Sequence, residues 1–560
     1  MAQINNLDIE NVLPTFCYHS FLVLLAFLSY KILKFIFETI LLNYNLRKIP
    51  VNPCVKTKLF GYYQPCKHIP RWDRHGLAYE GSKKTSEDLA NAPQGLTKFY
   101  ILPFLPMIYV SSPKYITKIL RSTKLVDKHD IYRKVIADTF GDNILVSKRE
   151  IWKEKRRHLA KTMHKDLHGD YSFAINGHVR DMVFGIRSSI SKSKSKKREI
   201  ILDYAQDHGH TLALNILAEN IFGQKLSSQA QKEKFLNLYD DLFKFMELRW
   251  SIPGLFDSNI FKLYCWWTGN SFNQSKSEFR KMIVEMIRAR SEVLGQKVAT
   301  KNTMESKKNT KTLAVDILLD LYSQKYLTFE EIINESSIFF MAALDTTVVA
   351  MNGSIYGLSH PTSIKSKIQQ KLIDEIDKFF PEKSDLENLH HSNDGGQITA
   401  ILANMPYLDA VVKESLRFYG PAPFVSRKSG TNTTIDLGDF KFNLGNAPTL
   451  LLLQTKHVSD ELINQKTKDA DQFKPERFLN NEVDVLDFSA FAPFSRGVRD
   501  CIGKPVADIS MKMQLIWIYR NFRTEIFVRD EEDEKLDRKR VTKFTLQFEK
   551  APKVRFIERE

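Results

Sequence analysis

One cysteine near the C-terminus stands in a setting suited to metal chemistry. Cys501 lies in PFSRGVRDCIGKPVA between Gly497 and Gly503, with Arg499 two residues before it. An amphipathic helix is predicted to begin near Lys504, and a thiol at a helix N-terminus beside cations is expected to have a lowered pKa. The glycines would let a flat, bulky group approach the backbone. Because a single thiolate suits haem iron, Cys501 is the first candidate ligand.

Two other segments place polar groups where burial would be costly. In MAALDTTVVAM, Asp345 precedes Thr346 within an apolar stretch. An unpaired buried carboxylate is expensive, so Asp345 either finds a local partner or serves the chemistry, and the threonine can equally bond back along its helix. In KESLR, Glu414 and Arg417 are three residues apart, a spacing that usually gives only a weak surface pair. Both alternatives stay open on these residues alone.

Taken together, these segments resemble the cytochrome P-450 family of haem-thiolate monooxygenases. The family pattern F-x-x-G-x-R-x-C-x-G is matched in full by Phe494, Gly497, Arg499, Cys501 and Gly503. The Asp-Thr-Thr, KESLR and KPERF segments occur in the family's order, and the resemblance extends over residues 50–560. It implies haem b (iron protoporphyrin IX) with Cys501 as its axial thiolate. Residues 141–157 look like fungal members, which suggests a membrane-anchored, fungal-type microsomal enzyme.

The resemblance also implies roles for individual side chains. Thr346 would hold oxygen and water and Asp345 would help supply protons, although Ala343 stands where the family often has Gly. Glu414 and Arg417 would form a buried network with Arg477 of KPERF, and removing one member would cost roughly 3–5 kcal/mol. The haem propionates would be bound by a set of four residues, because Arg holds a carboxylate bidentately. These are Trp152, Arg156, Arg427 and Arg499.

The fold class expected is mainly α with small β-sheets (α+β). By the resemblance it is the P-450 fold, a triangular, helix-rich prism around a buried haem. Helical periodicity covers 232–250, 275–294, 329–358 and 505–522, and strand-like segments are 107–110, 440–443, 449–453 and 544–548. Three polar segments are predicted to be surface loops, namely 188–198, 298–312 and 389–397. By analogy the substrate pocket is walled by 128–143, 235–250, 422–425 and the residues before Asp345.

An N-terminal segment is predicted to cross a membrane. Residues 11–30 contain no charged side chain, and a span needs about 20 apolar residues. Acidic residues precede this segment and Lys31 and Lys34 follow it, which places the bulk of the chain in the cytosol. The expected units are an extension at 1–10, an anchor at 11–34, an interfacial segment with a basic Pro hinge at 35–50, and a catalytic domain at 51–560. The endoplasmic reticulum is the expected membrane. A signal peptide fits poorly, and a buried core helix is the remaining alternative.

Charge and composition limit the possible partners. The formal net charge is +16, which favours acidic proteins or anionic membranes, and nucleic acid is the weakest candidate. Because no G-x-G-x-x-G or P-loop is present, NADPH would act only indirectly, through an acidic flavoprotein reductase. A cytochrome b-type protein is a second candidate donor, and membrane lipid and a small hydrophobic substrate complete the expected partners. The five cysteines form no C-x-x-C pair, which argues against structural zinc and a disulfide framework.

Three alternatives to hydroxylation remain open on the sequence. The first is a haem-thiolate enzyme of oxidative phenol coupling, of the dityrosine-forming type. The second is a membrane-anchored haem sensor or inactive binder, against which the retained Asp345 and Thr346 argue, since a carrier needs no proton relay. The third is a large helical membrane protein in which the motifs are accidental.

Overall fold

The computed structural model describes most of the chain after residue 95. The gaps are 103–104, 111, 123–126, 129, 194–196, 227, 252–256, 301–312, 392–394, 423, 429–433, 444–449, 455–462, 464–466, 480–490, 530–539 and 543–544. Before residue 96 it describes a few helical positions between 26 and 37. Most of the predicted anchor and of its flanks, and the beginning of the expected catalytic domain, therefore lie outside the described residues.

Helices make up most of the described chain. In chain order they are α1 (Pro113–Arg121), α2 (Asp130–Phe140), α3 (Arg149–Leu159), α4 (His168–Lys192), α5 (His210–Leu217), α6 (Gln229–Ser251), α7 (Ser258–Thr268), α8 (Phe272–Thr300), α9 (Ala314–Ser323), α10 (Phe329–Ser359), α11 (Pro361–Lys365), α12 (Ile368–Phe379), α13 (Lys383–His391), α14 (Gly395–Ala403), α15 (Pro406–Tyr419) and α16 (Lys504–Asn521). Short π-helical turns flank α5 at Ala205–Gly209 and Ala218–Phe222.

The strands form small sheets at the margins of the helical body. They are β1 (Leu96–Leu102), β2 (Leu105–Val110), β3 (Glu199–Asp203), β4 (Phe424–Lys428), β5 (Thr434–Asp436), β6 (Lys441–Asn443), β7 (Leu450–Gln454), β8 (Phe522–Ile526), β9 (Arg540–Thr542), β10 (Leu546–Phe548) and β11 (Lys553–Glu558). One sheet has the order β1-β2-β7-β4, in which only β2 and β7 are parallel. The others are β3-β11-β8 and the antiparallel pairs β5-β6 and β9-β10.

Two long helices cross the interior and position the site. A capping box starts α10, because Thr328 Oγ1 accepts from the N–H of Glu331 at 3.2 Å and Glu331 accepts from the N–H of Thr328 at 3.0 Å. α10 packs against α5, α8, α15 and α16. It is long and apolar enough to span a bilayer, but most of it is buried inside the protein, as in a core helix. α16 is buried from Ile509 to Asn521, and a helix buried on all sides belongs to a core.

The architecture confirms the predicted fold class and nearly every predicted element. The four periodic segments correspond to α6, α8, α10 and α16, and the four strand segments to β2, β6, β7 and β10. The surface-loop prediction was wrong at 188–192, which is the last turn of α4, because Ile190 continues the buried stripe of Val183 and Ile186. It was also wrong at 389–391 and 395–397, which belong to α13 and α14, and at 298–300, which ends α8.

Candidate functional site

The cysteine loop is held in a tight turn between α1 and α16. The N–H of Cys501 donates to the carbonyl of Phe494 at 2.9 Å, which closes the loop across the residues between them. Gly497 has φ +77°, and a Cβ there would lie 2.0 Å from the carbonyl oxygen of Leu120. Only glycine fits both the backbone angle and this close approach. A Cβ on Gly503 would meet no neighbour nearer than the Cys501 Sγ at 4.0 Å, so the backbone beside the thiol is open.

The accessibility and the deep position of the Cys501 thiol together indicate an internal space beside it. Its side chain is accessible to a water-sized molecule, and yet burial by surrounding protein raises its pKa. Burial outweighs the lowering by the N–H groups of Gly503 and Lys504 and by the charge of Arg156. The expectation that the helix end and the cations give a lowered pKa was therefore wrong in its net direction. A metal bonded to the sulfur would stabilise its deprotonated form.

The middle of α10 has one open face, although both ends of the helix are buried. Residues 332–341 and 350–359 are all buried, and so are Leu344, Asp345 and Val348 between them. Ala342 is exposed and Thr346 and Val349 are half-buried, at the i, i+4, i+7 spacing that places residues on one helix face. A core helix with such a face borders an internal space. Small side chains at these positions leave room for a ligand.

Three cations gather close to the cysteine loop. Arg427 is 2% exposed, and its guanidinium donates to the Oγ of Ser495 in that loop at 3.3 Å. Burial lowers the pKa of Arg427 to about 10 and that of Arg499 to about 9. The pKa of Lys128 is well below its usual value because of burial and the charges of Arg427 and Arg499. Asp127, 3.6 Å from Arg499, offsets part of this positive charge. Among the described residues the cluster retains excess positive charge, which suits a ligand with two carboxylates.

The structure places Trp152 within this cluster and gives Arg156 a protein partner. The guanidinium of Arg499 lies 4.3 Å from the centre of the Trp152 ring, a cation–π contact, and Trp152 is 8% exposed. Arg156 donates to the backbone and side-chain oxygens of Asp500 at 2.9 and 2.6 Å. α3 is thereby tied directly to the residue before Cys501. The binding of propionates by these residues stays a prediction.

Lys128 was not among the sequence-predicted site residues, and a variant tests it. A Lys128→Gln variant removes a cation whose pKa is lowered by burial and by like charges. We expect the haem-free protein to unfold at a higher temperature than the unmodified chain. We expect the haem-loaded variant to transfer haem to excess apomyoglobin about tenfold faster than the unmodified chain. This factor corresponds to the loss of one charged hydrogen bond between Lys128 and a haem carboxylate. The exposed Lys148 supplies the control Lys148→Gln. Equal transfer rates in the two variants would show that Lys128 does not bind the carboxylates.

The predicted Glu414–Arg417–Arg477 network is present and has a fourth member. Arg417 binds Glu414 through two nitrogens at 2.7 and 2.8 Å, and Arg477 Nε donates to Glu414 Oε1 at 3.2 Å. These three side chains are at most 2% exposed. Arg477 also donates to Asp469 at 3.1 Å, so two carboxylates neutralise two arginines. The sequence analysis missed Asp469.

The ionisation of Asp469 depends on this network. Burial opposes its charge, but hydrogen bonds from Thr467 and Arg477 outweigh burial and lower its pKa from 3.8 to about 2. A carboxyl group whose pKa is lower in the folded state stabilises the fold above its unfolded pKa. This contribution is therefore present at neutral pH and is lost as the pH falls below 3.8 towards about 2.

A buried ion pair fixes α3 against α10. Lys155 Nζ donates to Glu335 at 2.8 Å and lies 3.3 Å from Glu331. Burial lowers the pKa of Lys155, but the two carboxylates outweigh burial and raise it. The helix that carries Trp152 is thus held at a fixed position on the helix that carries Thr346. The sequence gives little sign of this pair, because Lys155 lies in a segment rich in charged residues.

Asp345 and Thr346 both have local partners in the structure. Thr346 Oγ1 donates to the carbonyl of Ala342 at 2.6 Å, the back-bond that the sequence left open. The carboxylate of Asp345 accepts a hydrogen bond from the hydroxyl of Thr545, which lies 200 residues further along the chain. Tyr239 is close by, since its pKa is raised by burial and, secondarily, by the charge of Asp345. These contacts are compatible with proton delivery, which stays a prediction.

These features fit a haem. The Cys501 thiol can act as the iron ligand, the open backbone at Gly503 admits a flat ring, and the cluster of Lys128, Arg427 and Arg499 matches two propionates.

Comparison with known proteins identifies the family. The family model "Cytochrome P450", here written P-450, matches residues 82–551. Cytochrome P-450 4ae1 of Drosophila melanogaster is 26% identical over 424 residues, 74% of this chain and 78% of that protein. Human cytochrome P-450 4F12 is 24% identical over 479 residues, 84% of this chain and 86% of that protein. The mitochondrial 1,25-dihydroxyvitamin D(3) 24-hydroxylase of Mus musculus is 31% identical over 207 residues, 37% of this chain and 36% of that protein.

These three relatives are animal proteins, so the fungal-type assignment gains no support from them. The family match spans the cysteine loop, the helix with Asp345 and Thr346, and the glutamate–arginine network. The chain belongs to the cytochrome P-450 family and is a haem-dependent oxidoreductase that incorporates oxygen.

Proposed function

We propose that this chain hydroxylates a largely hydrophobic small molecule with electrons from an NADPH-dependent flavoprotein reductase. The balanced reaction is RH + O₂ + NADPH + H⁺ → ROH + H₂O + NADP⁺. The observation that carries the proposal is the Cys501 thiol, which lies beside an internal space close to a buried cluster of cations. When bound there, haem supplies the redox chemistry that activates O₂.

The chain's own residues hold the cofactor and move protons. Cys501 would hold the haem iron through its sulfur, and Arg427, Arg499 and Lys128 would bind the haem carboxylates. Thr346 lies on the open face of α10, and its hydroxyl can turn from the carbonyl of Ala342 to bind water in the cavity. Asp345 is the group that carries protons towards that water. General acid catalysis of this kind contributes about 10²- to 10⁴-fold in rate.

The helices expected to wall the substrate pocket lie together. α2 packs against α6 and α10, and the Phe235 ring of α6 lies 4.9 Å from the Phe340 ring of α10. Both rings are fully buried, so they join the two helices, and the apolar residues Ala342 and Val349 on the open face of α10 are those that favour an apolar substrate. One relative is named as a 24-hydroxylase of 1,25-dihydroxyvitamin D(3), which favours hydroxylation of an apolar molecule over other reactions.

A basic surface beside the cysteine loop suits the reductase. Lys153 and Arg157 of α3 and Lys504 of α16 are exposed, and α3 is joined to the cysteine loop through Arg156. Opposite charges steer protein partners together, so an acidic flavoprotein face is the expected complement. A cytochrome b-type protein would use the same surface as a second electron donor.

The chain is proposed to be a single-pass protein of the endoplasmic reticulum whose catalytic domain faces the cytosol. In the described part of the N-terminal segment, Tyr30, Leu33 and Phe37 are helical and more than 60% exposed. On α7, Trp266 and Trp267 are 79% and 80% exposed. Tryptophan is enriched at membrane interfaces, so α7 is a second candidate contact with the bilayer.

Isotope labelling tests the reaction. A spectral binding screen of fatty acids, sterols, aromatic metabolites and xenobiotics with the haem-loaded full chain selects the substrate. Turnover with reductase, NADPH and ¹⁸O₂ is expected to place one labelled oxygen atom in each product molecule. The same reaction in ¹⁸O-labelled water with unlabelled O₂ should leave the product unlabelled.

Two results would contradict the proposal. An unlabelled product formed by joining two substrate molecules would indicate oxidative coupling. Absence of NADPH-dependent turnover with every compound that binds would indicate a haem-binding protein without this activity.

A further inference from the structure

The hairpin formed by β9 and β10 reaches the carboxylate of Asp345 on α10. Thr545 directly precedes β10 and is 2% exposed. Its hydroxyl donates a hydrogen bond to Oδ2 of Asp345 and accepts one from Gln547 Nε2 at 3.2 Å. The hydroxyl proton of Thr545 is therefore directed at Asp345.

The hairpin that carries Thr545 is firmly anchored. The N–H of Leu546 donates to the carbonyl of Pro421 at 2.9 Å, and Leu546 is 4% exposed. The Phe548 ring lies 4.9 Å from the ring of Tyr356 on α10 and 5.9 Å from that of Tyr419 on α15. These contacts of Leu546 and Phe548, which directly follow Thr545 in the chain, thus hold its hydroxyl at a fixed point relative to α10.

The carboxylate of Asp345 needs a hydrogen bond that fixes its orientation, because it lies at the border between the open face and the packed faces of α10. It is buried at 7% exposure, between residues of the open face and residues packed in the core. A carboxylate on a short side chain has few rotamers, and one strong hydrogen bond is enough to select among them. Tyr239, whose pKa is raised by burial and by the charge of Asp345, lies near the same carboxylate.

We propose that Thr545 is a positioning residue that holds Asp345 in the orientation from which it delivers protons. This rests on the proposed function of Asp345. When protons arrive, the overall reaction is RH + O₂ + NADPH + H⁺ → ROH + H₂O + NADP⁺. When delivery fails, the same two electrons leave as peroxide in O₂ + NADPH + H⁺ → H₂O₂ + NADP⁺. The ratio of peroxide formed to NADPH consumed therefore reports the orientation of Asp345.

The experiment compares four single variants and one double variant of the haem-loaded full chain with reductase, NADPH and dodecanoic acid as the probe. Thr545→Val keeps the shape and removes the hydroxyl, whereas Thr545→Ser keeps the hydroxyl. Asp345→Asn removes the negative charge of the carboxylate that the Thr545 hydroxyl supports. Thr162→Val is the matched control, because Thr162 is equally buried and its hydroxyl bonds only to a carbonyl in the turn after α3. The spectrum of the reduced CO complex selects preparations with intact haem, and Thr545→Ala replaces Thr545→Val if the latter does not fold.

We expect Thr545→Val to raise peroxide per NADPH about three- to tenfold, which is the range for the loss of one typical hydrogen bond. Thr545→Ser and Thr162→Val should stay at the unmodified ratio. The double variant Asp345→Asn/Thr545→Val should match Asp345→Asn alone, because the hydroxyl acts only through the carboxylate. Because one NADPH gives at most one H₂O₂, the comparison is made under conditions in which the unmodified chain hydroxylates the probe and forms little peroxide.

Each other outcome contradicts either the positioning role of Thr545 or the proton route through Asp345. If Asp345→Asn raises peroxide and Thr545→Val does not, the positioning role of Thr545 is wrong. The positioning role is also wrong if Thr545→Ser forms as much peroxide per NADPH as Thr545→Val. It is likewise wrong if the effects of Asp345→Asn and Thr545→Val add in the double variant, since the hairpin would then have only a structural role. If Asp345→Asn leaves the ratio unchanged, the proposed proton route through Asp345 fails, whatever Thr545 does.

Discussion

A Cys501→Ala variant is expected to lose the thiolate-type Soret band of the reduced CO complex and all oxygen insertion. The thiol is the one described side chain at the cavity that can bind iron as a thiolate, since Cys265, the other described cysteine, is buried in the core. The thiolate is the ligand that favours cleavage of the O–O bond, so no neighbouring group can replace it. The measurement is a reduced CO difference spectrum, followed by turnover with reductase.

The control for this prediction is Cys265→Ala. Cys265 lies on α7 and is 4% exposed, so its replacement removes a buried thiol without touching the cysteine loop. It should keep the thiolate-type band and cost only a small amount of stability. A Cys501→Ala protein that keeps the band, or a colourless unmodified chain after expression with ample haem, would show that Cys501 is not the ligand.

The fold was largely predictable because its main signals are local. Apolar periodicity within one segment locates α6, α8, α10 and α16. The mistakes fall where a polar composition hides a buried stripe, as at the end of α4, where Ile190 packs inward between serines and lysines. The helix continues there because its apolar side chains pack against the core, whatever residues its solvent-exposed face contains.

The site was predictable only in part, because several of its members are joined by tertiary contacts. Cys501, Arg427 and the glutamate–arginine network lie in motifs that the sequence displays. Lys128 and Thr545 carry no local signal, since their partners lie far away in the chain. Asp469 lies only eight residues from Arg477, but the sequence does not show that the two are buried together. The pKa of Cys501 shows the same limit: the helix end and the cations are visible in the sequence, whereas the burial that outweighs them is not.

The second large effect is expected at Glu414. This carboxylate accepts hydrogen bonds from Arg417 and Arg477 and from the N–H of Lys474 at 2.8 Å, and its side chain has no exposed area. It joins α15 to the Pro475–Phe478 turn, whose arginine continues to Asp469. Without the charge of Glu414, two buried guanidinium groups share the single carboxylate of Asp469.

A Glu414→Gln variant is therefore expected to lower the free energy of unfolding by roughly 3–5 kcal/mol, the cost of leaving a buried charge without its partner. That is a large fraction of the ~5–15 kcal/mol that stabilises a typical protein. Because α15 packs against α10 and α16, both of which border the site, we also expect a smaller yield of haem-loaded protein. Denaturant unfolding of the haem-loaded protein, followed by far-UV circular dichroism, measures the first effect, and haem absorbance per protein measures the second.

The neighbouring Lys413 provides the matched control. It lies on the same helix and pairs with Asp409 at 2.6 Å, but its side chain is 44% exposed. Solvent screens such a pair, so Lys413→Gln should change the free energy of unfolding by at most ~1 kcal/mol. The contrast between adjacent residues isolates burial as the cause, since helix, sequence position and type of interaction are the same. If Glu414→Gln cost no more than Lys413→Gln, the network would not hold the fold together, and the spacing in KESLR would need another explanation.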